Sequence, residues 1–156
     1  MAASHSGSKM SPADFIDDFG DTYCGTAFEC QASFATNLGV THTEVFGANV
    51  AACRAQLITG TQIEASVDAG RVTFNESAAS TCISKLAALD CAGFWAALTN
   101  NTFPTECDMA TDGTVATGGV CTINLDCVSA SCNGETCNAP EVNGAPLELT
   151  ELSVAR

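Results

Sequence analysis

The chain is short of positive charge: Lys9, Arg54, Arg71, Lys85 and Arg156 are its only basic residues against 18 acids, a formal charge of −13. Binding to a nucleic-acid backbone is therefore not expected, because each phosphate neutralised takes a Lys or Arg. Histidine is scarce too, with only His5 and His42, and no two cysteines stand as C-x-x-C. A zinc ribbon or finger and an attached c-type haem lack their ligand pattern, and no cofactor is expected. There is no G-x-S-x-G elbow. No apolar run approaches the length that spans a bilayer, and the first residues, MAASHSGSKM, lack the apolar centre of a signal peptide.

What the chain has in excess is cysteine, ten in 156 residues. That density and the even count point to disulfides and hence to an oxidising, extracellular or outer-cell-surface location. Export and the lack of a signal peptide conflict. They are reconciled if residues 1–11 are a leader or an added tail. The acidic surface then serves to keep an exported protein soluble, or to attract a cationic partner.

The organising stretch is residues 71–91, RVTFNESAASTCISKLAALDC. Val72 and Phe74 alternate as a short strand and Asn75 is an N-cap. Ala79, Cys82, Ile83, Leu86 and Leu89 then repeat at helical spacing. Upstream, Ser11-Pro12-Ala13-Asp14 starts a helix whose stripe is Phe15, Ile16, Phe19, Tyr23, Ala27, Cys30 and Phe34, with Cys24 and Phe28 pointing elsewhere. Gly20 and Gly25 mark a bend or break in it. Thr41 and Glu44 form a capping box for a second helix carrying Phe46, Val50, Cys53 and Leu57, with Gly60 as its stop. Residues 61–70 read as a connection contributing Ile63 and Val67 to the core. Residues 94–98 form a short helix with Trp95 as a core aromatic, residues 100–104 a loop, and Cys107 ties that loop back.

From Asp108 the composition turns to Gly, Thr, Ser, Asn and Cys. Residues 114–117 suggest a small strand or hairpin, and Cys121, Cys127, Cys132 and Cys137 come too close together for helices between them, so bonds replace packing there. The expected fold is mainly α: a disulfide-stapled helical core over residues 12–107, a cysteine-rich loop and short-β module over 108–137, and an extended tail over 138–156. Expected pairs are Cys121 with Cys132, Cys127 with Cys137, Cys30 with Cys53, and Cys82 with Cys91. Cys24 and Cys107 are left for remaining partners or Cys121.

The succession Cys24-x5-Cys30, Cys53 on a helix, SVDAGRVTFNESAASTCISKLAALDC, TEC and GGVCTINLDCVSASCNGETC resembles cysteine-rich exported proteins and lipoproteins of myxobacterial type. Its last part is similar to Dickkopf N-terminal-like, colipase-type disulfide modules, although the further cysteines that commonly follow Cys137 are missing. The resemblance spans residues 14–137. It implies export and disulfide bonding and supplies no activity.

Catalytic sets do not assemble from the sequence. A Ser-His-Asp triad would need His5, in a tail, or His42, beside a helix cap. With every cysteine able to pair, none is expected as a nucleophile. Asp14, Asp17, Asp18 and Asp21 share one helix, and Glu64 stands near Asp68, as solvated acids do by chance. Asp108, Asp112 and Gly113 form a loop that offers Ca²⁺ oxygen ligands without the EF-hand spacing. Asn75 and Asn100 match the glycosylation pattern, and Asn75 is already used as a cap.

The expectation is a non-enzymatic extracellular binding or structural protein with a protein partner or self-association. Its tail residues Leu147, Leu149, Leu152 and Val154 would add a strand to a neighbour. The alternatives are a small secreted effector or inhibitor using residues 124–131, and a carboxylate-dependent hydrolase.

Overall fold

The computed structural model describes residues 9–35 and 39–140, and its first helix, α1 (Pro12–Glu29), starts where the sequence says it should. The Ser11 hydroxyl accepts from Asp14 N while the Asp14 carboxylate accepts from Ser11 N, a reciprocal cap. Phe15, Ile16, Tyr23, Ala27 and Cys30 are buried along one side. Contrary to expectation, neither glycine breaks the helix. Gly20 serves a packing role: a Cβ there would lie 1.7 Å from Arg54 Nη1. The missing side chain lets the guanidinium lie on α1, where it donates to Ile16 O (3.2 Å) and pairs with Asp17 (3.1 Å) and Asp21 (3.1 Å). Two of the acids read as a merely solvated row thus hold the second helical region in place.

That region is two short helices, α2 (His42–Phe46) and α3 (Val50–Arg54), where one was expected. The Thr41–Glu44 capping box forms. The break comes at Gly47, whose φ of 79° is left-handed, and Asn49 then caps α3 by accepting from Ala52 N. Gly60 is a start and not a stop. It is the first residue of α4 (Gly60–Asp68), capped by Thr59, and lies so close to α1 that a Cβ would stand 2.8 Å from Ala13 Cβ. The connection expected over 61–70 is therefore mostly helix, with Ile63 fully buried.

Strand β1 (Val72–Phe74) and α5 (Glu76–Ala87) follow, with Asn75 capping α5 through Ala78 N. Next come α6 (Cys91–Asn100), with Trp95 buried as expected, the expected loop over 101–104, and α7 (Thr105–Ala110), a short helix carrying Cys107 that the sequence did not announce. β2 (Thr111–Gly113) pairs antiparallel with β1, Val72 opposite Gly113 and Phe74 opposite Thr111. The expected 114–117 strand lies three residues earlier; of that stretch only Val115 bridges, in parallel with Cys127.

Two apolar clusters make the core, one around Phe15, Ile63, Val72 and Cys82, the other around Tyr23, Phe46, Leu86, Phe94 and Trp95. Helices α1 and α5 each belong to both, α1 through Phe15 and Tyr23 and α5 through Cys82 and Leu86; α1 also packs on α3, α4 and α6, so the organising role expected of residues 71–91 is shared with it. A third cluster consists of Cys121, Cys127 and Cys137 with Val115 and Cys132 packed against them. The mainly helical, disulfide-stapled architecture is as expected, but the cysteine-rich segment has no clean joint. Helix α7 runs across the expected boundary at residues 107 and 108, and Ile123 is buried in the first cluster.

All ten cysteines are paired: Cys24–Cys53, Cys30–Cys91, Cys82–Cys107, Cys121–Cys132 and Cys127–Cys137. The two C-terminal pairs match the expectation. The expected Cys30–Cys53 and Cys82–Cys91 do not form, and Cys24 and Cys107 are not linked to Cys121. Cys24, on the flank of α1, faces α3, while Cys30, at the helix end, meets the first residue of α6. Cys82 sits five residues before the end of α5; at ~1.5 Å per residue the helix alone uses the ~7 Å a disulfide can bridge. Its inward face meets α7 instead, and so it reaches Cys107.

Candidate functional site: an apolar cleft on a covalent frame

One wall of the site comes from α1. Phe15, Ile16, Phe19 and Tyr23 line it, with ring centroids 6.0 Å apart for Phe15 and Phe19 and 5.8 Å for Phe19 and Tyr23. Leu57 and Ile58, between α3 and α4, close one side. Phe103 from the loop before α7, Cys107 of α7 and Leu125 close the other. The result is a half-open cleft of about 300 Å³, at the small end of the range for ligand pockets. Its polar members are Asn101, Asp108 and Thr111, and Tyr23 lines it as an aromatic. Burial pushes the Tyr23 phenol well up, so it stays a neutral donor. Asn101 enters the cleft in left-handed conformation (φ 51°, ψ 47°) because it ends α6.

The walls are held covalently. Cys24–Cys53 ties α1 to α3, and Cys82–Cys107 ties α5 to α7 from within the lining itself. Cys30–Cys91 pins the end of α1 to the start of α6. Cys24–Cys53 joins the α1 wall to the helix that leads into Leu57 and Ile58, whereas Cys82–Cys107 anchors the α7 wall to α5 behind it, so both walls are fixed by bonds as well as packing.

A polar seam fixes the cysteine-rich segment to the core beside Leu125. Asp126, fully buried, accepts at Oδ2 from Arg71 Nε (3.0 Å), Thr122 N (2.7 Å), Thr122 Oγ1 (3.0 Å) and Ile123 N (3.3 Å). Burial opposes its ionisation, but hydrogen bonds from Ser66, Thr122 and Ile123 outweigh that and hold the carboxyl below the usual carboxylate range. Gly113 permits the same approach, since a Cβ there would stand 2.4 Å from Cys127 O.

Other residues singled out from sequence are dispersed. His42 is buried, its Nε2–H donates to Ala27 O (2.9 Å), and its ring packs edge-on to Phe28 and Phe34. Trp95 Nε1–H donates to Ser33 Oγ (3.0 Å). Glu64 and Asp68 are exposed on α4. Asp108 and Asp112, expected in one loop, stand on α7 and β2. Among the described residues the one cluster of three metal-ligand side chains is Cys121, Cys127 and Cys137, and all three are disulfide-bonded. His5, Leu147, Leu149, Leu152 and Val154 lie outside the described residues. Among the described residues no helix is long and apolar enough to cross a membrane.

The cleft was not legible as a site. Phe15, Phe19 and Tyr23 read as core, and nothing local reveals that Phe103 and Leu125 stand opposite them. Asp126 was missed as well. Its signal was present in Thr122-Ile123-Asn124-Leu125-Asp126, a short polar turn in which an Asp can gather the preceding amides.

No family model, curated protein or solved structure matches the chain.

Proposed function

We propose that this is an exported, non-enzymatic binding protein whose working surface is the apolar cleft between α1 and α7. The observation that carries the reading is the combination in one place of aromatic lining, a volume suited to a small ligand, and disulfides anchoring opposite walls. Preorganisation of that kind lowers the cost of binding, because little of the site has to be ordered when a ligand arrives. Five disulfides are typical of an oxidising compartment, which supports the export in this reading.

The test is fluorescence titration of the oxidised full chain with the neutral apolar probe N-phenyl-1-naphthylamine. Saturable binding at one site, lost when the half-buried Leu57 at the cleft wall is enlarged by Leu57→Trp, is the expected result. Absence of saturable binding, or binding indifferent to that substitution, refutes the reading.

A further inference from the structure

The cleft's polar groups and the protein's charge together specify a ligand class, and we propose that it takes a small cationic amphiphile, an apolar body carrying an ammonium group, with Asp108 as the counter-charge. This rests on the binding role proposed above and narrows it. Asp108 is the only charged residue of the lining, and it is exposed. Among the described residues it has no hydrogen-bond or ion-pair partner.

Three basic side chains are occupied elsewhere, Arg54 by Asp17 and Asp21, Arg71 by Asp126, and Lys85 by Glu106, and Lys9, exposed ahead of α1, is not part of the lining. The lining thus contains a carboxylate and no cation, within a chain of formal charge −13. An anionic amphiphile would meet that carboxylate and the surrounding negative field. An ammonium is attracted by both. The apolar body would rest on the α1 wall, where the Phe15, Phe19 and Tyr23 rings form a continuous surface.

The experiment compares three eight-carbon ligands of equal apolar body, n-octylamine, n-octanol and n-octanoate, by calorimetric titration into the oxidised full chain at neutral pH and low salt. Octylamine should bind about five- to tenfold more tightly than octanol, as expected for one partly solvated charge pair, and octanoate more weakly than either. Asp108→Asn, at an exposed position, should remove most of the advantage of octylamine over octanol, leaving only the small part due to the overall negative field, and an advantage undiminished by Asp108→Asn would overturn the assignment of Asp108. Equal affinities for octylamine and octanol would overturn the cationic specificity while leaving the binding role intact. No binding of any of the three would overturn both. Displacement of octylamine by a synthetic peptide of residues 146–156 would assign the cleft to the chain's own C-terminal segment and likewise overturn the proposal.

Discussion

Two glycines on one helix should respond to the same substitution with opposite signs. Alanine is better than glycine in a helix interior by about 0.8–1 kcal/mol. A Cβ at Gly25 would meet nothing within 4 Å, so Gly25→Ala should collect that gain. At Gly20 the same methyl would stand 1.7 Å from Arg54 Nη1 and 2.8 Å from its Cζ, which forces the guanidinium off α1. The loss includes ion pairs to Asp17 and Asp21, whose side chains are 62% and 73% exposed, worth about 0.2–1 kcal/mol each. It also includes the charged hydrogen bond to Ile16 O, at about 1.5 kcal/mol. Gly20→Ala should therefore destabilise by about 1–2 kcal/mol net, placing the two variants some 2–3 kcal/mol apart, or roughly 5–10 °C in melting temperature for a chain of this size. Thermal unfolding with disulfides intact, followed by circular dichroism, reads both. In an Arg54→Ala background, Gly20→Ala should become stabilising like Gly25→Ala. A stabilising Gly20→Ala with Arg54 present would refute the clamp.

Asp126→Asn should cost about 2–3 kcal/mol at neutral pH through loss of a buried, charge-assisted set of hydrogen bonds. Because the folded carboxyl titrates below its unfolded value, its contribution is complete above the unfolded pKa of about 4 and is lost as pH falls through the lower folded value. The melting difference between wild type and Asp126→Asn should therefore shrink in acid, and a constant difference would contradict this role. Removing Cys30–Cys91, which joins residues 61 apart, should cost about 4 kcal/mol by chain entropy, against about 3 for Cys127–Cys137 with its separation of 10; equal costs in denaturant titrations of the double Cys→Ala variants would count against that ordering. Gly60→Ala should destabilise by about 1–3 kcal/mol by overpacking against Ala13, and an unchanged unfolding midpoint would show that α1 and α4 can separate at that point.

What was legible in the sequence was local. Ser11, Thr41 and Asn75 announce helix starts because a cap is a bond between a residue and a neighbour three positions on, and Cys121–Cys132 and Cys127–Cys137 are short-range links in a segment with little else to hold it. The same signature, Thr59 followed by Gln62, was present for α4 and was obscured by reading Gly60 as a stop. The remaining features depend on distant partners. Gly20 looks like a flaw in α1 until Arg54 is placed against it, and Cys24 and Cys30 cannot be assigned until the break at Gly47 sets where α3 lies. The cleft belongs to that second kind: its aromatic wall was readable as an apolar stripe, whereas its opposite wall is assembled from Phe103, Cys107 and Leu125, brought there by the disulfides and by the Arg71–Asp126 seam.

The most direct measurement of the central claim, a rigid body presenting one apolar cleft as its binding site, is a two-dimensional NMR titration of the oxidised full chain with N-phenyl-1-naphthylamine. The account predicts saturable shifts confined to one cluster spanning Phe19, Tyr23, Leu57, Phe103 and Leu125, with residues 127–137 unmoved. Shifts scattered over the surface, or none at all, would contradict it.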